Sequence, residues 1–245
     1  LTGSIVALVT PFASDGSIDF EALSHLVDFH LQNHTDGLLI LGTTGESSTM
    51  THEEDNAVVQ AVVKQVGGRI PVIAGSGSNC TQTMVEKSLA YQELGADGLL
   101  IITPYYNKSN EEGIYRHLKE VADAVDIPCI LYNIPGRTGC SISLRNIERL
   151  AVHPNVMGLK EASGNVGFAA DAACFINDGF RMYSGEDALT VPLMSLGASG
   201  TISVWANLQP REVHHMCAAF LDGDVETARS LQLAALPLIH GLFSE

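Results

Sequence analysis

The pentapeptide Asp36-Gly37-Leu38-Leu39-Ile40 returns almost unchanged as Asp97-Gly98-Leu99-Leu100-Ile101. Each copy follows a helical pattern and opens an apolar run without polar alternation, which is typical of a parallel strand buried on both faces. Eight such runs are spread along the 245 residues. They cover residues 4–10, 37–41, 70–74, 98–103, 129–134, 156–160, 181–184 and 201–204.

Amphipathic helical segments separate these runs. Phe20, Leu23, Val27 and Leu31, for example, have the spacing of one helical face. Alternation of strand and helix predicts βαβ units, and eight of them favour an α/β TIM barrel, the closed (β/α)₈ fold. An open doubly wound sheet would need a glycine-rich phosphate turn after its first strand, whereas residues 10–12 read Thr-Pro-Phe.

The end of the sequence continues beyond eight units. We expect the eighth helix at about 210–221 and one further helix from 224 to about 240. We therefore assign residues 1–222 to a catalytic barrel and residues 223–245 to the remnant of a truncated C-terminal helical extension. Because the sequence starts at Leu1 rather than at methionine, we also expect that one or both natural ends are missing.

Composition narrows the class of partner. The formal net charge of −15 disfavours nucleic acid and anionic membrane surfaces, and no apolar stretch is long enough to cross a bilayer. The five cysteines form no Cys-x-x-Cys pair, which indicates reduced thiols of a cytoplasmic protein, most of them small core residues. They are Cys80, Cys129, Cys140, Cys174 and Cys217.

Only one of the five lysines ends a predicted buried strand, and that is Lys160. Active sites of barrel enzymes lie at the carboxyl ends of the strands. Burial lowers the pKa of an amine, and a neutral amine can attack a carbonyl to form a Schiff base. The alternatives are that Lys160 pairs with Glu161 or extends to the rim.

Strand alternation places Val156 and Gly158 on the same side as Lys160, with Gly158 leaving space for the lysine stem. The other lysines are expected on wet helix faces or in a loop. They are Lys64, Lys87, Lys119 and Lys108.

Three further segments carry candidate groups. Tyr132, one strand before Lys160, is a candidate proton relay, although a buried tyrosine also serves as packing. The turn at 43–47 offers hydroxyls and amides to a small carboxylate, or else begins a helix that Ser47, Ser48, Thr49 or Thr51 caps. Arg137, in a loop of turn formers at 135–139, can bind a carboxylate or remain solvated.

Metal and phosphate chemistry find little support in the sequence. None of the nine histidines ends a predicted strand and no HExxH motif occurs, so we do not expect a zinc-dependent aldolase. The loop after the seventh strand, where barrels commonly bind phosphate, reads Ser184-Gly185-Glu186-Asp187. Two acidic residues there disfavour pyridoxal phosphate and sugar phosphates.

Four ordered motifs resemble the dihydrodipicolinate synthase and N-acetylneuraminate lyase superfamily: Gly-Thr-Thr-Gly-Glu at 42–46, Thr-Pro-Tyr-Tyr-Asn at 103–107, Tyr-Asn-Ile-Pro-Gly-Arg-Thr-Gly at 132–139 and Gly-Leu-Lys-Glu-Ala at 158–162. The resemblance implies a lyase without cofactor that condenses pyruvate with L-aspartate 4-semialdehyde through an imine. The product would be 4-hydroxy-tetrahydrodipicolinate, on the route to diaminopimelate and lysine. A homodimer or homotetramer is expected.

The resemblance also implies residue roles. Lys160 would form the imine, and Tyr132, Thr43 and Tyr106 would relay protons, Tyr106 coming from a neighbouring subunit. Thr44 would contact the pyruvate carboxylate and Arg137 that of the semialdehyde. Backbone groups of Gly185 and Ile202 would line the pocket.

A lysine effector site at the subunit interface is implied too. Its matching positions are Ser47, Ser48, His52, Asn79 and Tyr105. Asp55 and Thr83 stand where inhibited relatives carry a histidine and a glutamate, so weaker inhibition is expected.

Two alternatives stay open. One is the lyase branch, which cleaves N-acetylneuraminate or a 2-keto-3-deoxy sugar acid, although it lacks an equivalent of Arg137. The other is a non-catalytic, truncated barrel.

Overall fold

The computed structural model describes residues 1–244, in which eight parallel strands close into one barrel in chain order. The strands are β1 (Gly3–Ala7), β2 (Gly37–Ile40), β3 (Val72–Gly75), β4 (Gly98–Ile102), β5 (Cys129–Asn133), β6 (Val156–Glu161), β7 (Arg181–Ser184) and β8 (Gly200–Ser203). The helices are α1 (Phe20–Gln32), α2 (His52–Val66), α3 (Thr81–Glu93), α4 (Glu111–Ala124), α5 (Pro135–Thr138), α6 (Leu144–Ala151), α7 (Val166–Ala173), α8 (Thr190–Ser195), α9 (Pro210–Leu221) and α10 (Val225–Leu242). The predicted TIM barrel is therefore confirmed.

All eight predicted strands are present, with ends that differ by up to three residues. The largest difference is at β1, which ends at Ala7 instead of residue 10. Leu8 still donates its amide to the carbonyl of Leu39, but the amide of Val9 turns to the Asn207 side chain. The chain therefore leaves the sheet just before Pro11, which has no amide hydrogen to donate.

Two apolar layers explain why the strands lack polar alternation. Leu38 and Ile40 pack outward in one cluster with Leu23 and Val27 of α1, whereas Leu39 belongs to a second cluster inside the barrel. Since both faces of each strand are covered by apolar groups, both alternating sets of side chains are apolar.

A register shift in β6 corrects the predicted alternation around Lys160. Cys129 pairs with Val156 but Ile130 pairs with Gly158, so Met157 is an extra residue. Val156 belongs to the outer cluster while Met157 packs against the inner one. The prediction that Val156 shares a side with Lys160 is wrong because this bulge reverses the pleat between them.

The C-terminal helices match their predicted places. α9 has the predicted bounds, and α10 starts after Asp224, whose carboxylate accepts a hydrogen bond from the amide of Thr227. α10 packs on α9, on α8 and on the 3₁₀ turns Asp187–Leu189 and Trp205–Asn207. The division at residue 222 stays a prediction, and residue 245 lies outside the described residues.

Two further features concern the surface and the thiols. No helix within residues 1–244 has both the length and the apolar character needed to cross a membrane. All five cysteines are free thiols, but only Cys129 and Cys217 are buried, while Cys80 and Cys174 are exposed. The prediction that most of them are core residues holds for Cys129, for Cys217 and for Cys140, which packs against the core, but it fails for Cys80 and Cys174.

Candidate active site

Lys160 lies near the carboxyl end of β6, between two tyrosines. It pairs in register with Tyr132 on β5 and with Tyr183 on β7. Its side chain is buried, with the residue 5% exposed, and its Nζ is 4.3 Å from the centroid of the Tyr132 ring. The Tyr183 hydroxyl instead donates to the carbonyl of Leu1 at 2.8 Å. Tyr132 is thus the phenol whose ring lies against the amine.

The surroundings of Lys160 increase the neutral fraction of its amine. Burial lowers the pKa of Lys160 to about 8, the positive charge of Arg137 acts in the same direction, and the charge of Asp187 opposes both. Glu161 points elsewhere, because its carboxylate accepts hydrogen bonds from the Asn133 side chain and the Ser163 amide, each at 2.7 Å. The alternative in which Lys160 pairs with Glu161 is therefore wrong.

Space for the lysine stem comes from Gly185, at the end of β7. A Cβ on Gly185 would lie 2.9 Å from Cε of Lys160 and 2.7 Å from Cβ of Ala162. Gly158, which the sequence suggested for this role, has another neighbour: a Cβ there would lie 2.5 Å from the backbone oxygen of Arg181. Gly158 therefore permits close packing of β6 on β7, and Gly185 accommodates Lys160.

Tyr132 is buried and keeps its proton at neutral pH. Burial raises the pKa of Tyr132 to about 12, although the positive charge of Arg137 and the adjacent Thr43 side chain act in the opposite direction. A protonated phenol can donate a proton and accept another, which is what a relay requires. Tyr132 therefore has the Lys160 amine against its ring and the Thr43 side chain near enough to lower its pKa.

A cavity of about 430 Å³ opens in front of Tyr132 and is rich in hydroxyl groups. No aspartate or glutamate lines it among residues 1–244, whereas three basic residues do. Its polar lining residues are Thr43, Ser47, Ser48, His52, Ser78, Thr83, Lys87, Tyr105, Tyr132, Arg137 and Thr138. In a chain with a net charge of −15, a cavity of this kind is suited to an anionic ligand.

The threonine turn after β2 is held by backbone hydrogen bonds between residues three apart in the sequence. Gly45 donates its amide to the carbonyl of Gly42 at 3.0 Å, and Glu46 donates to that of Thr43 at 3.1 Å. These bonds use the amides of residues 45 and 46, not those of Thr43 and Thr44. The helix cap lies further on, where Thr51 and Glu54 form a capping box for α2.

Arg137 lies in a short helix rather than in the expected loop. α5 is closed by the bond from the Gly139 amide to the Pro135 carbonyl, and the Thr138 hydroxyl donates to the carbonyl of Cys140 at 2.7 Å. Arg137 is exposed on this turn and lines the cavity. A fixed helical turn holds the start of its side chain at the entrance.

The other predicted site residues do not line this cavity, and Lys160 and Gly185 are among them, since Lys160 lies behind the Tyr132 ring. Thr44 is half-buried in its turn, and Ile202 is buried inside the barrel. Tyr106 points away from the protein, with 90% of its surface exposed and a φ of +69°. A tyrosine held in the left-handed region is uncommon outside special turns, which singles out Tyr106 as a functional candidate.

The predicted effector residues form one cluster at the far side of the cavity. Ser47, Ser48, His52 and Tyr105 line it, and the side chain of Asn79 donates to the carbonyl of Tyr105 at 3.2 Å. These five residues thus lie near one another, and their role as an effector site stays a prediction.

An unexpected ion pair lies beside this cluster. Nζ of Lys87 is 2.9 Å from Oδ2 of Asp55, and both side chains are buried. The prediction of a wet Lys87 is wrong, because α3 packs this residue against α2. A signal existed in the sequence: Asp55 has helical spacing with Val58, Val59 and Val62, so it falls on the apolar face of α2 and needs a partner.

Asp187 was also misjudged from the sequence. Its buried carboxylate accepts hydrogen bonds from the amides of Val204 and Trp205, at 2.9 and 2.8 Å. It therefore joins the loop after β7 to the turn after β8, and its charge acts on Lys160. From the sequence alone, its only predicted effect was to disfavour a phosphate ligand.

Comparisons with known proteins show the family to which this fold belongs. The family model described as "Dihydrodipicolinate synthetase family" matches residues 1–245. The 4-hydroxy-tetrahydrodipicolinate synthase of Pelobacter propionicus is 48% identical over 99% of this chain and 83% of its own length. The crystal structure of dihydrodipicolinate synthase from Aquifex aeolicus superposes with a TM-score of 0.97 at 45% identity, covering 100% of this chain and 84% of the other.

A third relative was solved with a small keto acid. The chloride-inhibited dihydrodipicolinate synthase from Acinetobacter baumannii, complexed with pyruvate, has a TM-score of 0.97 and 42% identity, over 100% of this chain and 84% of its own. Because the match extends along the whole sequence and the whole barrel, this chain belongs to the dihydrodipicolinate synthetase family.

Proposed function

We propose that this chain is a lyase that condenses pyruvate with L-aspartate 4-semialdehyde to give 4-hydroxy-tetrahydrodipicolinate, in the biosynthesis of diaminopimelate and lysine. The observation that carries the proposal is the buried amine of Lys160, with a pKa lowered to about 8, against the ring of Tyr132. The names of similar enzymes support the choice of substrates.

The first half of the reaction needs a neutral amine and a proton relay. Nζ of Lys160 attacks the keto carbon of pyruvate, and the carbinolamine loses water to give an iminium. Loss of a methyl proton then gives the enamine, whose carbon bonds to the aldehyde carbon of the second substrate. Tyr132 and Thr43 supply and accept the protons, and no bound cofactor takes part.

Release of Lys160 uses the second substrate's own amino group. That nitrogen attacks the iminium carbon, closes the ring and expels the lysine amine. Lys160 is thereby returned unchanged, and one water molecule is released overall.

Charge and hydrogen bonding orient the two acids. Thr44 holds the pyruvate carboxylate, Arg137 binds the carboxylate of the semialdehyde, and Gly185 and Ile202 contribute backbone surface. Arg137 supports this arrangement, because it lines a cavity to which no carboxylate of residues 1–244 contributes.

Assembly completes the relay in this proposal. Tyr106 is exposed on its own subunit, so it reaches the active site of a neighbouring copy, and the working enzyme is a homodimer or homotetramer in the cytoplasm.

The five residues of the effector cluster then bind lysine at the interface. A titration of the activity with lysine tests this last point, and unchanged activity at millimolar lysine would remove it.

The decisive experiment traps the imine. Borohydride reduction in the presence of pyruvate, followed by peptide mass mapping, should place the adduct on Lys160. A coupled assay with the semialdehyde should show condensation in the wild type and none in Lys160→Ala, with Lys64→Ala as the control. An adduct on another lysine, no adduct, or cleavage of N-acetylneuraminate without condensation would overturn the proposal.

A further inference from the structure

Gln232 connects the C-terminal helix α10 to the loop that surrounds Lys160. It is only 4% exposed, and both ends of its amide are bonded. Nε2 donates to the carbonyl of Asp187 at 2.9 Å, and Oε1 accepts from the amide of Val191 at 3.1 Å. A buried amide satisfied on both sides fixes the groups that it joins.

The loop held in this way forms one wall around the amine. Gly185 donates its amide to the carbonyl of Glu161 at 2.7 Å and lies against the stem of Lys160. Two residues further on, Asp187 bonds to the amides after β8 and places its charge near the same amine. Movement of this loop would therefore change the solvation of Lys160.

Two other side chains donate hydrogen bonds to carbonyls of this loop, and both belong to neighbouring residues in the sequence. The Thr190 hydroxyl also donates to the carbonyl of Asp187, at 3.2 Å, and the Ser184 hydroxyl to that of Glu186, at 2.8 Å, but both bonds stay within the same segment of chain. Gln232 instead reaches across 45 residues from a separate helix.

We propose that Gln232 is a positioning residue for the reaction: it clamps the loop after β7 so that Gly185 and Asp187 keep water away from the Lys160 amine. This inference rests on the proposed imine chemistry. It assigns α10 a part in the active site although none of its residues lines the cavity.

The direction of the expected effect follows from the relative sizes of the influences on Lys160. Burial is the largest of them and lowers the pKa, whereas the charge of Asp187 raises it to a smaller extent. A loosened loop admits water and relieves the burial, so the pKa of Lys160 should rise. The other groups that face the amine are unchanged in every variant: Tyr132, Tyr183 and Arg137.

The test measures imine formation with pyruvate between pH 6 and 10 in the full chain, by borohydride trapping of timed samples. Gln232→Leu should move the midpoint of the pH profile upward by about half to one pH unit, which slows the reaction at pH 7 roughly three- to tenfold. Gln232→Met, which keeps the length of the side chain but makes neither hydrogen bond and adds no charge, should shift the midpoint in the same direction and serves if the leucine variant does not fold.

The control is Ile239→Ala, because Ile239 is buried on the same helix and its apolar side chain makes no hydrogen bond to the loop. It should lower the melting temperature while leaving the midpoint unmoved. A Gln232 variant whose midpoint also stays in place overturns this inference alone. A wild type that forms no adduct removes the proposed function and this inference together.

Discussion

Lys160 and Tyr132 are direct cross-strand partners in the register of β6 and β5, and the amine of one lies 4.3 Å from the ring centroid of the other. Burial changes the pKa values of these two residues in opposite directions. The pKa of the lysine is lowered to about 8 and that of the tyrosine is raised to about 12. At neutral pH the phenol keeps its proton, while a small part of the amine is neutral and able to react.

Replacing Tyr132 by phenylalanine tests the relay without disturbing the packing. The ring stays against the amine, but the proton-transferring hydroxyl is lost, so kcat should fall by about 10²- to 10⁴-fold. The matched control is Tyr183→Phe on the other side of Lys160, which loses only the bond to Leu1. It should cost about 1 kcal/mol of stability and leave kcat within about threefold. Equal kcat losses in both variants would contradict the relay.

Removing the charge of Lys160 should stabilise the protein at neutral pH. Its pKa falls from 10.5 to about 8 on folding, so the unfolded state binds more protons between those values and the free energy of unfolding rises with pH there. Below pH 8 the full cost, about 3 kcal/mol, is present. Lys160→Met should therefore gain about 1 to 3 kcal/mol in urea unfolding at pH 7 after loss of the ring contact.

The same variant supplies its own pH control. The gain of Lys160→Met should nearly disappear by pH 10.5, where the folded amine is neutral and the unfolded amine has lost about half of its protons. Lys64→Met, an exposed position on α2, should stay within about 0.5 kcal/mol of the wild type at both pH values. A destabilised Lys160→Met at pH 7 would show that burial of this amine carries no such cost.

The features that the sequence predicted well are those encoded in one segment. A continuous apolar run in the sequence predicts each strand, and Lys160 is conspicuous because it is a charged residue at the end of such a run. Both follow from local pattern and from the general geometry of parallel barrels. The same reasoning found the helices that cover the barrel, since their apolar spacing is also local.

The errors concern contacts between segments. Gly158 is next but one to Lys160 in sequence, yet Gly185, just after the neighbouring strand β7, makes the room, because strand register decides which residues meet. Lys87 is buried because α3 packs on α2 and brings Asp55 beside it. Neither pairing is readable from the spacing within one helix or one strand.

A methyl group on Gly185 should displace the catalytic amine, because it would press on the side-chain stem of Lys160. Its Cβ would lie 2.9 Å from Cε of Lys160, so either the stem or the loop must shift. Gly185→Ala should reduce the rate of imine formation about 10²-fold, since small displacements of reacting groups have effects of this size. Gly241→Ala, where a Cβ meets nothing within 4 Å, should keep the wild-type rate. A wild-type rate in Gly185→Ala would contradict the assigned role.

The buried pair of Lys87 and Asp55 should dominate the stability of the α2–α3 contact. In Lys87→Met the carboxylate of Asp55 stays buried without its ammonium 2.9 Å away, which should cost about 3 to 5 kcal/mol. Burial already raises the pKa of Asp55, and loss of the lysine raises it further. As the pH falls the carboxyl takes up a proton, so the variant should regain part of the lost stability relative to the wild type. The measurement is urea unfolding at pH 5 and pH 7.

Adding a second substitution separates the ion pair from simple packing. Lys87→Met combined with Asp55→Leu removes both charges and should recover most of the loss, because an apolar pair avoids the desolvation that a lone buried charge suffers. Lys64→Met on the exposed face of α2 again provides the reference and should change stability by no more than about 0.5 kcal/mol. If the double variant is no more stable than Lys87→Met alone, the loss comes from the missing lysine stem and not from the unpaired carboxylate.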